Sequence, residues 1–212
     1  MELDRYHMEF LLAFVRGRTG RLDLSDPDAL LKLAGAAGLR VHRFKRTMGL
    51  PRVDRVLGVL AGLAPAQLLD IGSGRGTFLW PLMERFPTLP VVAIDSTARR
   101  AADLGAVRRG GIERLSAAQM DTTQLGFARR SFDVVTLLEV LEHLENPAAA
   151  ATEAIRVARR FVLASVPSKE DDNPEHRWLF DRRSMEALFR DGGAQNVRID
   201  YVRGHMIAVA RV

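Results

Sequence analysis

The chain contains no cysteine, which excludes disulfide bonds, thiolate metal ligands and a cysteine nucleophile. It also lacks any apolar run that approaches the roughly 20 residues needed to cross a bilayer. Its acidic first residues do not have the basic-then-apolar order of a signal peptide. These absences predict a cytoplasmic protein without a membrane partner. Hydrophobic residues make up 47% of the 212 residues and charged residues 27%, a balance typical of a globular protein and not of a disordered one.

Basic charge is concentrated in the first third of the chain. The net charge is +5, and the segment 40–55 carries six Arg and Lys residues against one Asp. A basic patch attracts anionic partners, although a run of charge is also the ordinary solvent-facing side of a helix. Charge alone therefore does not indicate a nucleic acid-binding protein.

The hydrophobic pattern changes near residue 65. Before it, apolar residues recur at helical spacing, beginning with a helix over 3–16. After it, short apolar strands alternate with helices, which is typical of a parallel sheet covered on both faces. We expect strands at 67–71, 90–94, 112–117, 132–138 and 161–166. We expect helices at 76–86, 97–105, 147–159 and 182–191.

The end of the chain breaks this alternation. Two strand-like runs, 196–202 and 205–212, meet at Arg203-Gly204, a sequence typical of a tight turn. The sequence therefore predicts an α/β fold, with a doubly wound, mostly parallel seven-stranded sheet that ends in an antiparallel hairpin. We expect two domains, a helical N-terminal extension over 1–64 and a sheet-containing domain over 65–212.

A glycine-rich loop follows the first predicted strand, where residues 70–76 read Asp-Ile-Gly-Ser-Gly-Arg-Gly. Glycines let the backbone turn sharply and approach a ligand closely, as in enzymes that bind nicotinamide, flavin or S-adenosylmethionine. Asp70 could meet a cationic group near the loop. Asp95 ends the second strand and could accept hydrogen bonds from both ribose hydroxyls, while Asp121 follows the third and could bind an adenine amino group. Either acid could instead be a helix cap or a turn residue.

A second polar group follows the fourth strand. Glu139, Glu142 and His143 are spaced i, i+3 and i+4, so one helical turn would place them on one face. His176 follows the fifth strand, whose carboxyl end meets the same edge of the sheet. His143 could be a general base, since histidine ordinarily titrates near neutral pH. The four side chains could instead bind Mn, Fe, Co or Zn, or Glu142 and His143 could only lock the loop.

The motifs DIGSGRG, VVAID, MDTTQLGFARRSFDVV and EVLEHLENP together resemble the class I S-adenosylmethionine-dependent methyltransferases over residues 65–212. The resemblance implies a Rossmann-like domain that binds S-adenosylmethionine and transfers its methyl group. It implies that seven residues bind this cofactor: Asp70, Gly72, Gly74, Gly76, Asp95, Met120 and Asp121. In the family, N-terminal extensions often form a lid over the acceptor pocket. The chain departs from many relatives in lacking a Pro-Gly-Gly turn before the fifth strand.

Within the family, two resemblances imply different acceptors. EVLEHLENP is similar to the small-molecule enzymes that include those of quinone biosynthesis, which favours a small-molecule acceptor, no metal, and His143, Glu139 and His176 as catalytic residues. The pattern Glu-x-x-Glu-His with a later His also resembles the Hen-type small-RNA 2′-O-methyltransferases. In those enzymes the four side chains hold a metal at the RNA end, although the interval from His143 to His176 is short for them. Two alternative functions lie outside the methyltransferases: a nicotinamide dehydrogenase and a non-catalytic cofactor-binding module.

Overall fold

A computed structural model of the protein describes residues 5–47, 49–170 and 172–212. Within these ranges the α-helices are α1 (Met8–Thr19), α2 (Pro27–Ala36), α3 (Pro51–Leu63), α4 (Leu79–Arg85), α5 (Ala98–Arg109), α6 (Pro147–Val157) and α7 (Arg182–Asp191). The strands are β1 (Leu68–Ile71), β2 (Val91–Asp95), β3 (Leu115–Gln119), β4 (Phe132–Leu138), β5 (Ala158–Pro167), β6 (Asn196–Val202) and β7 (His205–Arg211). Residues 3 and 4 of the predicted first helix lie outside the described residues.

The strands form a seven-stranded sheet in the order β3-β2-β1-β4-β5-β7-β6. The pairs β2–β3, β1–β4 and β4–β5 are parallel, whereas β5–β7 and β6–β7 are antiparallel. The turn of the final hairpin contains Gly204 at a φ of 77°, a left-handed conformation that glycine adopts without strain. The predicted doubly wound, mostly parallel sheet with a C-terminal antiparallel hairpin is confirmed.

Local side-chain signals set several helix starts. The carboxylate of Asp26 accepts a hydrogen bond from the Ala29 amide at the start of α2. Asp181 and Ser184 form a reciprocal capping box at the start of α7. Such caps satisfy amides that have no partner within the helix, so they define where each helix begins.

Several element boundaries differ from the sequence prediction, and strand pairing explains two of them. β5 begins at Ala158, where a helix to residue 159 was expected, because Ala158 pairs with Phe132 of β4. β3 covers Leu115–Gln119 instead of 112–117, because these residues pair with β2 along its whole length. In both places strand pairing outweighs the local pattern.

The chain divides into two compact units, of which the first comprises Met1–Met48 and Ser73–Gln119. In this unit α1 packs along α5. An aromatic cluster forms its core, with Trp80 at ring-centroid distances of 5.2 Å from Phe10 and 5.0 Å from Phe44. The N-terminal helix α1 therefore shares its core with residues that follow the glycine-rich loop.

The second unit comprises Gly49–Gly72 and Met120–Val212. Here α3 packs on the β6–β7 hairpin, while α6 packs on β4 and β5. β4 is buried along its whole length, as expected for a strand in the middle of a parallel sheet. The domain boundary at residue 64 stays a prediction. In the described part of the chain, no helix combines the length and the apolar character that a bilayer-spanning segment requires.

Candidate functional site

Asp70 lies at the carboxyl end of β1 in the second unit and is 2% exposed. β1 pairs with β4 so that Asp70 is opposite Thr136, whose hydroxyl donates a 2.7 Å hydrogen bond to Asp70 Oδ1. Gly72 follows with a φ of 72°, and a Cβ at this position would lie 2.5 Å from a methyl group of Val140. The start of the loop is therefore a fixed carboxylate followed by a position that fits only glycine.

Asp95 ends β2 in the first unit and is buried. Its Oδ2 accepts a 3.0 Å hydrogen bond from the Gly74 amide, and its Oδ1 accepts one of 2.9 Å from the Thr97 amide. The carboxylate thus joins the glycine-rich loop to the start of α5. Each carboxylate oxygen can accept a second hydrogen bond, so this turn contact is compatible with the predicted binding of two hydroxyls.

Gly74 and Gly76 have φ values of 56° and 86°. A Cβ at Gly76 would lie 2.1 Å from Trp80 Nε1. That indole N–H donates to the carbonyl oxygens of Arg75 and Arg43, at 3.0 and 3.2 Å. The sequence gives no sign that the ring nitrogen of Trp80 orders the loop.

Asp121 follows β3 along the chain, belongs to the second unit and is exposed. Its Oδ1 accepts 2.8 Å hydrogen bonds from the amide and the hydroxyl of Thr123. These hydrogen bonds hold the pKa of Asp121 below its ordinary value, so the carboxylate stays an acceptor at neutral pH. Beside it, Met120 Sδ accepts from the Gly126 amide at 3.3 Å.

Three of the four residues in the second polar group come together. A 3₁₀ turn, Leu141–His143, follows β4. One possible ligand atom from each of Glu142, His143 and His176 lies within 4.8 Å of the others, and the two imidazole centroids are 4.8 Å apart. Glu142 is 0% exposed. This group can exchange a proton, and it can also coordinate a cation.

The loop that carries His176 is bonded to the 3₁₀ turn. The carbonyl oxygen of Glu142 accepts from the Arg177 amide at 2.8 Å, and Trp178 Nε1 donates to the Leu144 carbonyl oxygen at 2.8 Å. His143 Nδ1 lies 3.1 Å from the Glu175 carbonyl oxygen. Backbone contacts of this kind have no sequence signal, so the ordering of the loop was not predictable.

Glu139 is not part of this group among the described residues. Its Oε1 accepts a 2.7 Å hydrogen bond from the Ser165 hydroxyl, and its Oε2 lies 3.0 Å from His205 Nε2 and 3.6 Å from Arg52 Nε. The expected helical turn, with Glu139, Glu142 and His143 on one face, is absent because the Glu139 amide continues the pairing of β4 with β5 by donating to the Ser165 carbonyl oxygen. Glu139 then has a φ of 57°, and the 3₁₀ turn begins at Leu141.

Comparison with known proteins gives one family match and several relatives. Residues 69–161 match a family described as a methyltransferase domain. A demethylmenaquinone methyltransferase of Roseiflexus sp. strain RS-1 is 30% identical over 169 residues, which cover 74% of this chain and 67% of that protein. A ubiquinone/menaquinone biosynthesis C-methyltransferase of Cereibacter sphaeroides strain ATCC 17029 is 26% identical over 145 residues, which cover 64% of this chain and 55% of that protein.

Solved structures show the same fold. The crystal structure of an S-adenosylmethionine-dependent methyltransferase from Aquifex aeolicus superposes with a TM-score of 0.62 at 19% identity, over 77% of this chain and 90% of that chain. At this level of identity the likeness concerns the architecture alone.

Proposed function

Because the chain belongs to the class I S-adenosylmethionine-dependent methyltransferases, we propose that it methylates a small-molecule acceptor whose proton is removed by His143. The relatives named above, a demethylmenaquinone methyltransferase and a ubiquinone/menaquinone biosynthesis C-methyltransferase, support a small-molecule acceptor. The observation that carries the catalytic part is the contact between His143 Nδ1 and the Glu175 carbonyl oxygen.

The residues present fit the cofactor. Gly72 lies where a Cβ would meet Val140 at 2.5 Å, so only glycine lets the loop backbone pass this close to Val140. The buried carboxylate of Asp95 keeps acceptor capacity beyond its two backbone contacts. We assign cofactor binding to the residues predicted for it: Asp70, Gly72, Gly74, Gly76, Asp95, Met120 and Asp121. When bound, S-adenosylmethionine supplies an electrophilic methyl group.

His143 has the tautomer that a general base requires. A carbonyl oxygen can only accept, so the Nδ1 that faces Glu175 carries the proton. The lone pair is then on Nε2, which can take a proton from the acceptor. The buried Glu142 carboxylate beside the ring stabilises the imidazolium that forms. General base catalysis of this kind contributes about 10²–10⁴-fold.

His176 supports this arrangement through its own hydrogen bond. Asn173 Nδ2 lies 3.0 Å from His176 Nε2, and since the amide nitrogen only donates, Nε2 of His176 is an acceptor and Nδ1 carries the proton. We propose that His176 orients the acceptor while His143 removes its proton.

The test separates cofactor binding from catalysis. We expect His143→Asn to lower the rate of transfer of a labelled methyl group to a panel of hydroquinones and phenols by about 10²–10⁴-fold, with S-adenosylhomocysteine affinity unchanged in calorimetry. Asp95→Asn should weaken that affinity by about 1–3 kcal/mol. Glu145→Gln, an exposed change next to the 3₁₀ turn, is the control. An unchanged transfer rate in His143→Asn contradicts the assignment of His143 as the base. Failure of the unmodified protein to bind S-adenosylhomocysteine in calorimetry contradicts the cofactor assignment.

A second candidate rests on the convergence of Glu142, His143 and His176, which could hold a divalent cation. The acceptor would then be a ribose hydroxyl at an RNA end. Glu139, the fourth side chain expected to bind the metal, instead accepts a hydrogen bond from Ser165 and contacts His205. This arrangement favours the small-molecule enzyme, and removal of metal distinguishes the two.

A further inference from the structure

Trp178 and Leu179 form an exposed apolar pair on the loop that follows β5 in the second unit. Their side chains are 48% and 53% exposed, whereas the next residue, Phe180, is buried. Phe180 therefore anchors the loop, and the two residues before it present apolar surface to solvent. Single exposed apolar residues are common, but an adjoining pair of large ones is a feature of ligand-binding surfaces.

Trp178 is fixed beside His143 by two hydrogen bonds. Its backbone amide donates to the Glu142 carbonyl oxygen at 3.3 Å, and its indole Nε1 donates to the Leu144 carbonyl oxygen at 2.8 Å. Glu142 and Leu144 are the neighbours of His143 on either side in the chain. The tryptophan therefore spans the turn that carries the imidazole assigned as the base.

The hydrogen bond of the Trp178 side chain uses only the edge of the indole. Its N–H lies in the plane of the ring, so the bond to Leu144 fixes the ring without occupying its faces. A flat apolar group can pack on such a face, and an aromatic ring gains stacking energy beyond the apolar area that it buries. Because the indole is already held in place, this contact costs little further side-chain entropy.

The chemistry of a histidine base also favours an aromatic acceptor. A phenolic hydroxyl ordinarily has a pKa of about 10, whereas that of water is about 15.7 and an aliphatic hydroxyl is similarly weak as an acid. Histidine ordinarily titrates at about pH 6.5. It therefore takes a proton from a phenol far more readily than from an aliphatic alcohol.

We propose that Trp178 is a specificity-determining residue, whose indole stacks on the aromatic ring of the acceptor while the hydroxyl of that ring lies at His143. Leu179 adds apolar surface beside the indole. The site then selects an aromatic acceptor over an aliphatic one of the same size. The proposal rests on the proposed methyl transfer, because it concerns the acceptor of that reaction.

The first experiment compares phenol with cyclohexanol, which has the same number of heavy atoms but no aromatic ring. Ligand-observed NMR measures their binding to the full chain saturated with S-adenosylhomocysteine. We expect phenol to bind about two- to tenfold more tightly. Trp178→Leu should remove this preference, and Trp178→Phe should keep most of it. The matched control is Tyr201→Leu, which removes a similarly exposed aromatic ring from β6 of the same unit and should leave the preference unchanged.

Kinetics separate stacking from a role in ordering the turn, because Trp178→Leu and Trp178→Phe both lose the hydrogen bond to Leu144. With hydroquinone as the acceptor, stacking predicts that Trp178→Leu raises KM by about two- to tenfold and leaves kcat within about twofold. Trp178→Phe should behave much like the unmodified protein. An equal fall of kcat in both variants would mean that Trp178 only positions the turn, which overturns the proposal.

Three further results overturn the proposal. Equal affinities of the unmodified protein for phenol and cyclohexanol exclude selection of an aromatic ring. A preference for phenol that survives in Trp178→Leu means that the ring binds elsewhere. Self-association in sedimentation velocity that Trp178→Leu abolishes assigns the apolar pair to a second copy of the chain. Failure of S-adenosylhomocysteine to bind the unmodified protein contradicts the proposed function instead, so the two failures are distinguishable.

Discussion

His205 Nε2 lies 3.0 Å from Glu139 Oε2, which joins the start of β7 to the end of β4. The same carboxylate accepts a hydrogen bond from Ser165 of β5 and lies near Arg52 of α3. Glu139 therefore connects four elements of the second unit. It does so at a φ of 57°, and such a conformation costs a non-glycine residue about 1–3 kcal/mol, so the surrounding contacts must hold it in place.

We expect Glu139→Ala to reduce the free energy of unfolding by about 1–3 kcal/mol, because it leaves His205 and Arg52 without their common carboxylate. Urea denaturation measures this. Glu113→Ala, which removes an exposed carboxylate, should change stability by no more than about 0.5 kcal/mol. If Glu139→Ala keeps full stability but loses methyl transfer, the result contradicts a structural role and supports the catalytic role that the sequence predicts for Glu139.

The contact between α1 and α5 gives a second prediction. A Cβ at Gly17 would lie 1.9 Å from the Ala106 carbonyl oxygen, and one at Gly110 would lie 1.7 Å from the Ala13 carbonyl oxygen. Backbone atoms cannot move aside as a flexible side chain can, so the helices must separate. We expect Gly17→Ala and Gly110→Ala each to cost about 1–3 kcal/mol of stability in urea denaturation.

The control for this prediction is Gly58→Ala. Gly58 lies on the exposed side of α3, with no heavy atom within 4 Å of an added Cβ. Since alanine favours helix over glycine, this change should stabilise the protein by about 0.5–1 kcal/mol. The double variant Gly17→Ala/Gly110→Ala should lose less than the sum of its parts, because the first separation of the helices makes room for the second methyl group. If the stability losses of the two single variants simply add in the double variant, the two glycines do not act through the same contact between α1 and α5.

The strand and helix order was predictable because it depends on local patterns. Alternation of apolar runs with helical periodicity predicts a parallel sheet, and the terminal hairpin follows from Arg203-Gly204. Asp70 and Asp95 were chosen in the same way, since each lies at the carboxyl end of a strand beside the glycine-rich loop, and their role in cofactor binding stays a prediction. These signals lie within a few residues of the feature that they predict.

The contacts of Glu139 were not predictable, because its partners are distant in sequence. Spacing alone places Glu139 with Glu142 and His143, and this holds only for an α-helical turn. The chain instead continues the β4–β5 pairing through Glu139. His205, 66 positions away, had no feature beyond its place at the start of a strand. The packing of Gly17 on α5 likewise depends on a distant element.

Asp133 gives a prediction for pH dependence. Its carboxylate accepts hydrogen bonds of 2.8 Å from the Ala66 amide and 2.7 Å from Arg159. The Ala66 amide, with help from Arg159, holds the pKa of Asp133 below its ordinary value against the opposing effect of burial. A carboxyl group with a lowered folded-state pKa stabilises the protein fully above its unfolded-state pKa, about 3.9, and this contribution is lost as the pH falls through the folded-state pKa.

We therefore expect Asp133→Asn to be less stable than the unmodified protein at pH 7, by about 1–3 kcal/mol. The difference should shrink as the pH falls below about 4, because the unmodified protein then loses the charged form. Denaturation curves from pH 7 to pH 2.5 measure it, with Asp172→Asn, an exposed position, as the control. A difference that is constant over this range would mean that the side chain acts through its shape and not its charge.

Removal of metal decides between the two acceptor classes. Three groups, Glu142, His143 and His176, are close enough to coordinate one cation, but the backbone carbonyl oxygen of Glu175 faces His143 Nδ1 and Glu139 contacts His205 instead of completing the set. We expect methyl transfer to survive complete chelation, and the purified protein to hold no stoichiometric metal in elemental analysis. Glu142→Gln should then lower turnover by weakening the stabilisation of the His143 imidazolium, with no change in metal content. Loss of activity on chelation and its return with Mn or Co would contradict the small-molecule mechanism. An RNA end with free ribose hydroxyls would then be the first acceptor to assay.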